Sequence, residues 1–216
     1  MSIIYAAAAA FMGVSFLPAD VAIYDNGAPD QITGSEMTHL TQSEDFVLGS
    51  DASITDVHLW ALDTAGVSAY QGIISWAIAA DAAGAPGPTL ATGSAAATVT
   101  GTGNTVLTYN EDLVSFLIPA FAAAGNTTYW LELHNGPTAT NSPLGFFWET
   151  TSSSPGSDLN TGHEMVLPGG TLWEDNGLEH AFELTGPAAT VPEPGGVVLT
   201  FVGLAGIIAH RRIRSN

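Results

Sequence analysis

Every arginine in this chain lies in its last six residues. Arg211, Arg212 and Arg214 stand alone, there is no lysine, and all 21 Asp and Glu residues precede them. A body built without Lys or Arg has no conventional ion pairs. It must be held by apolar burial and backbone hydrogen bonding, with its carboxylates in water or on backbone and hydroxyl donors. The same balance excludes nucleic acid as a partner, because nothing is present to neutralise phosphates. It also excludes docking of the body on an anionic membrane surface. Solubility through self-repulsion, divalent cations or a basic partner remain as readings of the acidity. The chain has no cysteine, which removes disulfides, thiolate metal sites and cysteine nucleophiles.

The hydrophobic pattern over the middle of the chain is that of strands. In "ITDVHLWAL", Val57, Leu59 and Ala61 alternate with His58, Trp60 and Leu62, and Ile74, Trp76 and Ile78 share one face of "YQGIISWAIAAD". The segments "TVLTY", "LVSFLIP", "TTYWLELHNG", "LGFFWETT" and "EHAFELTG" continue the pattern, and a short turn is expected within "LIPAFAAAGNTTYW". Asn-Gly pairs at Asn26, Asn135 and Asn176 supply the positive φ that tight turns need. Nine or ten strands at hairpin spacing predict an all-β fold, an antiparallel β-sandwich of jelly-roll type, over residues 23–186.

Both ends are apolar. Residues 1–22 read as a signal-peptide-like segment without a basic n-region, which is consistent with a true start further upstream; the alternative is a buried first strand or helix. Residues 187–194 read as a linker. Residues 195–210 read as a single transmembrane helix whose apolar run, Gly195 to Ala209, spans roughly 22 Å against a hydrocarbon core of ~30 Å. Residues 211–216 form an Arg-rich cytoplasmic tail, with Arg211 and Arg212 snorkelling to the interface.

The order Pro192-Glu193-Pro194, apolar helix with Gly203-Leu204, then Arg211, Arg212 and Arg214 resembles the PEP-CTERM sorting signal. That resemblance implies an exported protein of a Gram-negative bacterium, first anchored in the inner membrane, then at the cell surface or in the extracellular matrix. It implies recognition by an exosortase, a membrane cysteine protease-transpeptidase, and an association with extracellular polysaccharide. The phrases "DVAIYDNGAPD", "AGNTTYWLELHNGP", "FFWETT" and "EHAFELTG" are similar to a body type recurrent in such proteins, which bears on architecture alone.

Three kinds of site are open on the residues themselves. Trp130, His134, Trp148 and Glu149 have the chemistry of a sugar platform, with rings to stack on a pyranose and polar groups for its hydroxyls; the competing reading makes the tryptophans packing residues. Calcium is a candidate at Asp25, Asn26 and Asp30 or at Glu174, Asp175 and Asn176, where turn chemistry alone also accounts for the residues. The pairs His134-Asn135, His163-Glu164 and Glu179-His180 are of ligand type but lack the spacing of a pre-formed metal site. No G-x-S-x-G motif is present, and the body has no cationic clamp for an oxyanion. A non-enzymatic surface or matrix protein is therefore expected, with a carbohydrate-binding module as the alternative and a glycoside-active enzyme as the weaker one.

Overall fold

The computed structural model describes residues 20–64, 68–139, 145–152, 161–166 and 172–188. Thirteen strands run through them: β1 (Asp20–Asp25), β2 (Pro29–Glu36), β3 (Leu40–Val47), β4 (Ala52–Thr64), β5 (Ile74–Asp81), β6 (Pro86–Ala95), β7 (Thr98–Val106), β8 (Tyr109–Ala123), β9 (Thr128–Asn135), β10 (Phe146–Thr151), β11 (His163–Val166), β12 (Glu174–Asp175) and β13 (Phe182–Pro187). There is no helix among the described residues, and so none long and apolar enough to cross a membrane.

The strands form two antiparallel sheets in a sandwich-like arrangement. The first is organised on β4, which pairs with β8 along one edge and shares its other edge between β13 and β10; β7, β1 and β2 lie outside these. The second runs β12-β11-β3-β9-β5-β6. Alternation explains the core. Val57, Leu59 and Ala61 of β4 face Ile74, Trp76 and Ile78 of β5 and Tyr129, Leu131 and Leu133 of β9 in one buried cluster, closed by Phe46, Phe146, Trp148 and Phe182.

Several expectations need correction. Thirteen strands among the described residues replace nine or ten: the exposed edge strands β6 and β7, rich in Gly, Ala, Ser and Thr, and the two-residue β12 lack apolar alternation, and "TVLTY" holds the β7–β8 turn at Leu107 and Thr108. The expected short turn in "LIPAFAAAGNTTYW" is present at Gly125 and Asn126, between the end of β8 at Ala123 and the start of β9 at Thr128. Pro119 sits where the β4–β8 register shifts, a place that needs no N–H donor. Asn26-Gly27 does not close a hairpin, since β1 pairs with β13 and β2 with β10. The glycine after each of the three asparagines nevertheless has positive φ: 102° at Gly27, 89° at Gly136 and 69° at Gly177. The body also begins before residue 23, because Asp20, Val21 and Ala22 already pair with Pro187, Gly186 and Thr185.

Candidate functional site

The four sugar-platform candidates are not brought together. Trp130 belongs to β9 in the second sheet and Trp148 to β10 in the first, and both rings are wholly buried. Trp148 lies in the core, its indole N–H donating to the Ala181 carbonyl at 2.9 Å. Trp130 is on the outer face of its sheet but covered; its N–H donates to Asp81 Oδ1 at 3.0 Å and its ring meets that of His163 edge-on at 4.9 Å. Glu149 is buried, accepting the Gln31 backbone N–H at 3.1 Å. An exposed tryptophan platform on these residues is therefore corrected: strand period assigns a face, and both faces here are covered.

The calcium candidates serve turns. Asp25 Oδ1 accepts the Gly27 N–H, and Asp30 Oδ1 accepts the Ile32 N–H and the Thr150 hydroxyl. Asn26 is buried, accepting the Tyr24 hydroxyl at 2.7 Å and donating to the His180 carbonyl at 2.9 Å. Asp175 accepts from Gly177 and from the Thr161 hydroxyl, which first among its causes holds its carboxyl below the usual range. Asn176 accepts the Leu178 N–H and donates to Gln42, while Glu174 is exposed. Among the described residues no three His, Asp or Glu side chains are gathered as a metal shell. Pro192, Glu193, Pro194, Arg211, Arg212 and Arg214 lie outside the described residues.

Sequence spacing gives no sign of the constellation that the fold does assemble. Between the sheets, Glu44 Oε2 of β3 stands 2.7 Å from His180 Nδ1, and His180 Nε2 stands 2.8 Å from Ser35 Oγ of β2. The His180 backbone N–H also donates to Glu44 Oε2 at 2.9 Å, and the Trp148 ring lies over the imidazole at 4.9 Å. Gly162 makes room for the ring: a Cβ there would come within 2.8 Å of His180 Cε1 and Nδ1.

The connectivity Ser–His–Glu is that of a nucleophilic triad, so the protons decide its meaning. Burial raises the Glu44 carboxyl well above its ordinary range, helped by the charges of Glu179 and Asp45 and opposed by the amides of His180 and Asp45. Burial pushes the His180 imidazole down to about 3. Both effects favour the uncharged pair, a protonated carboxyl beside a neutral imidazole, with Oε2 accepting the His180 backbone N–H. The neutral ring carries one proton between its contacts with Glu44 Oε2 and Ser35 Oγ. A nucleophilic triad needs a serine open to substrate and a histidine able to take up its proton, and burial here disfavours the imidazolium. Glu44 and His180 have no solvent exposure and Ser35 only 7%. The relay joins β2, β3 and the approach to β13 as a structural clamp.

The other face of the second sheet is different. An open groove of about 700 Å³ crosses it, lined by Thr41, Ser75, Thr92, Glu132, His134 and Met165 among others. Glu132 stands between Ser43 and Ala77 of the neighbouring strands. Burial alone raises its carboxyl to about 7, with no donor among the described residues opposing that. Thr41 Oγ1 and Ser43 Oγ are buried without a partner among the described residues. His134 is the one residue of the platform set that lines this groove, with Nδ1 on the Gly136 carbonyl at 3.1 Å.

No protein-family model matches the chain, and no curated protein matches it.

Proposed function

We propose that this chain is an exported, non-enzymatic surface protein, sorted by its C-terminal tail as an exosortase substrate and displaying the sandwich. The observation that carries this reading is the tripartite order of the tail: Pro192-Glu193-Pro194, then an apolar run, then every arginine of the chain. The body is compatible with it: β13, the last strand among the described residues, runs to Pro187, shortly before that motif begins. Its charge supports it as well, since an acidic domain without lysine or arginine does not adhere to anionic surfaces. We read the sandwich as jelly-roll-like, because most connections carry the chain from one sheet to the other.

The non-enzymatic half of the proposal rests on the relay, whose serine is nearly sealed and whose imidazole resists protonation. Sorting is tested in a host with an exosortase by replacing Pro192, Glu193 and Pro194 with alanine and weighing the product by mass spectrometry. The expected outcome is retention of the uncleaved tail. Processing identical to that of the wild type overturns the assignment.

A further inference from the structure

We infer that the groove on the outer face of the second sheet binds an amino-sugar unit, with its ammonium on Glu132 and its ring hydroxyls on Thr41, Ser75 and Thr92. The site is new in its residues and independent of the tail.

The lining is rich in hydrogen-bond acceptors and has no cation. The Ser75 hydroxyl already donates to the Gly136 carbonyl at 2.8 Å, and the Thr92 hydroxyl to the Trp76 carbonyl at 3.0 Å. Both oxygens therefore offer only lone pairs to a visitor. His134 also lines the groove, with Nδ1 at 3.1 Å from the Gly136 carbonyl. Glu132 has a carboxyl without a donor, and the Thr41 hydroxyl is 94% buried, lines the groove and has no partner among the described residues. Unsatisfied buried polar atoms cost free energy unless something occupies the site.

What satisfies such a lining is a donor-rich ligand that carries positive charge. Anions are excluded, because residues 20–188 hold carboxylates and no Lys or Arg. A bare alkylammonium meets Glu132 but brings no donors for Ser75 and Thr92. An aminated pyranose supplies an ammonium, several hydroxyls and a C–H face for Met165. The groove volume falls in the roughly 300–1,000 Å³ range of small-ligand clefts.

The test is calorimetric titration of the full-length chain at about 0.15 M salt, where the screening length is ~8 Å and diffuse attraction to the acidic surface is weak. The probes are a β-linked glucosamine tetramer, its fully N-acetylated counterpart and tetralysine. Binding of the glucosamine tetramer at least tenfold tighter than either other probe is the expected result. Glu132→Gln should then lower that affinity tenfold or more and Thr41→Val severalfold, in variants whose melting transitions stay cooperative. Thr41→Val keeps the test decisive should Glu132→Gln fail to fold. The inference is overturned by no binding at millimolar glucosamine tetramer, by equal binding of the acetylated or lysine probe, or by variants that bind like the wild type.

Discussion

The two sides of strand β3 carry polar residues that neither side exposes, yet the two sides treat them differently. Gln42 and Glu44 turn inward with Phe46, and Thr41, Ser43 and Asp45 turn outward. The side chains at 41 to 46 are all buried. Inward, Glu44 has His180 and its backbone N–H, while Gln42 donates to the Glu36 carbonyl at 2.9 Å and accepts from Asn176. Outward, the hydroxyls of Thr41 and Ser43 are without partners among the described residues, beside a donorless Glu132. Buried polar groups that are satisfied specify the fold, and those left unsatisfied in a cleft point to a ligand.

That contrast breaks most visibly at the relay. His180→Ala should cost about 1–3 kcal/mol in urea unfolding, because it leaves the Glu44 carboxyl buried with only backbone donors. A Glu44→Leu/His180→Phe double variant should recover part of that loss, since replacing a buried polar pair by apolar groups is often nearly neutral. A loss under 1 kcal/mol for His180→Ala would remove the clamp. Gly162→Ala should cost about 1–3 kcal/mol by pushing the imidazole away from Glu44.

The outer face should respond with the opposite sign. An acid with a raised folded-state pKa keeps its proton longer when folded than when unfolded. Its favourable contribution is complete below the unfolded value near 4.5 and is lost as pH rises through the folded value. Glu132 and Glu149, both pushed up to about 7 chiefly by burial, make the protein lose stability between pH 4.5 and about 7. The relay holds one proton in the folded state. The unfolded chain also holds one between about 4.5 and 6.5, so the pair is silent in that window and costs stability on either side of it. Melting temperature should therefore peak just above pH 4.5 and fall toward pH 8. Glu132→Gln should flatten that fall and stabilise the chain at pH 8 by about 1–2 kcal/mol, after allowance for solvent screening. A flat profile that the variant leaves unchanged would refute the donorless carboxyl.

The smallest effect belongs to Ser35. Ser35→Ala should cost roughly 0.5–1.5 kcal/mol, the worth of one buried hydrogen bond. The wild type should stay unlabelled by a fluorophosphonate. Labelling at Ser35 would turn the clamp into a nucleophile.

Much of the core was legible in the sequence, because β4, β5 and β9 bury one face and write it as strict alternation. Edge strands β6 and β7 bury little, so nothing in their composition marked them. The relay was illegible for a different reason. Ser35, Glu44 and His180 meet only because β2 and β3 lie in different sheets and the chain returns much later to enter β13. Glu179-His180 was visible merely as an acidic residue beside a histidine. Trp130 and Trp148 were placed on the right strands, but alternation does not say what covers a face. His134 and Glu132 stand two residues apart on β9 and so share a face by strand period, yet the missing partner of Thr41, which makes that face a site, belongs to tertiary structure.

The most direct measurement is the carbon-13 titration of the Glu132 side-chain carboxyl, assigned by its absence in Glu132→Gln, with and without the glucosamine tetramer. His134 is the titratable group that shares the groove, and its resonances should be followed in the same series. The free protein should titrate at about 7, and the tetramer should lower that midpoint by at least about one unit, or about 1.4 kcal/mol of interaction with the ionised form. A midpoint near 4.5 in the free protein, or one that the tetramer leaves in place, would contradict the account.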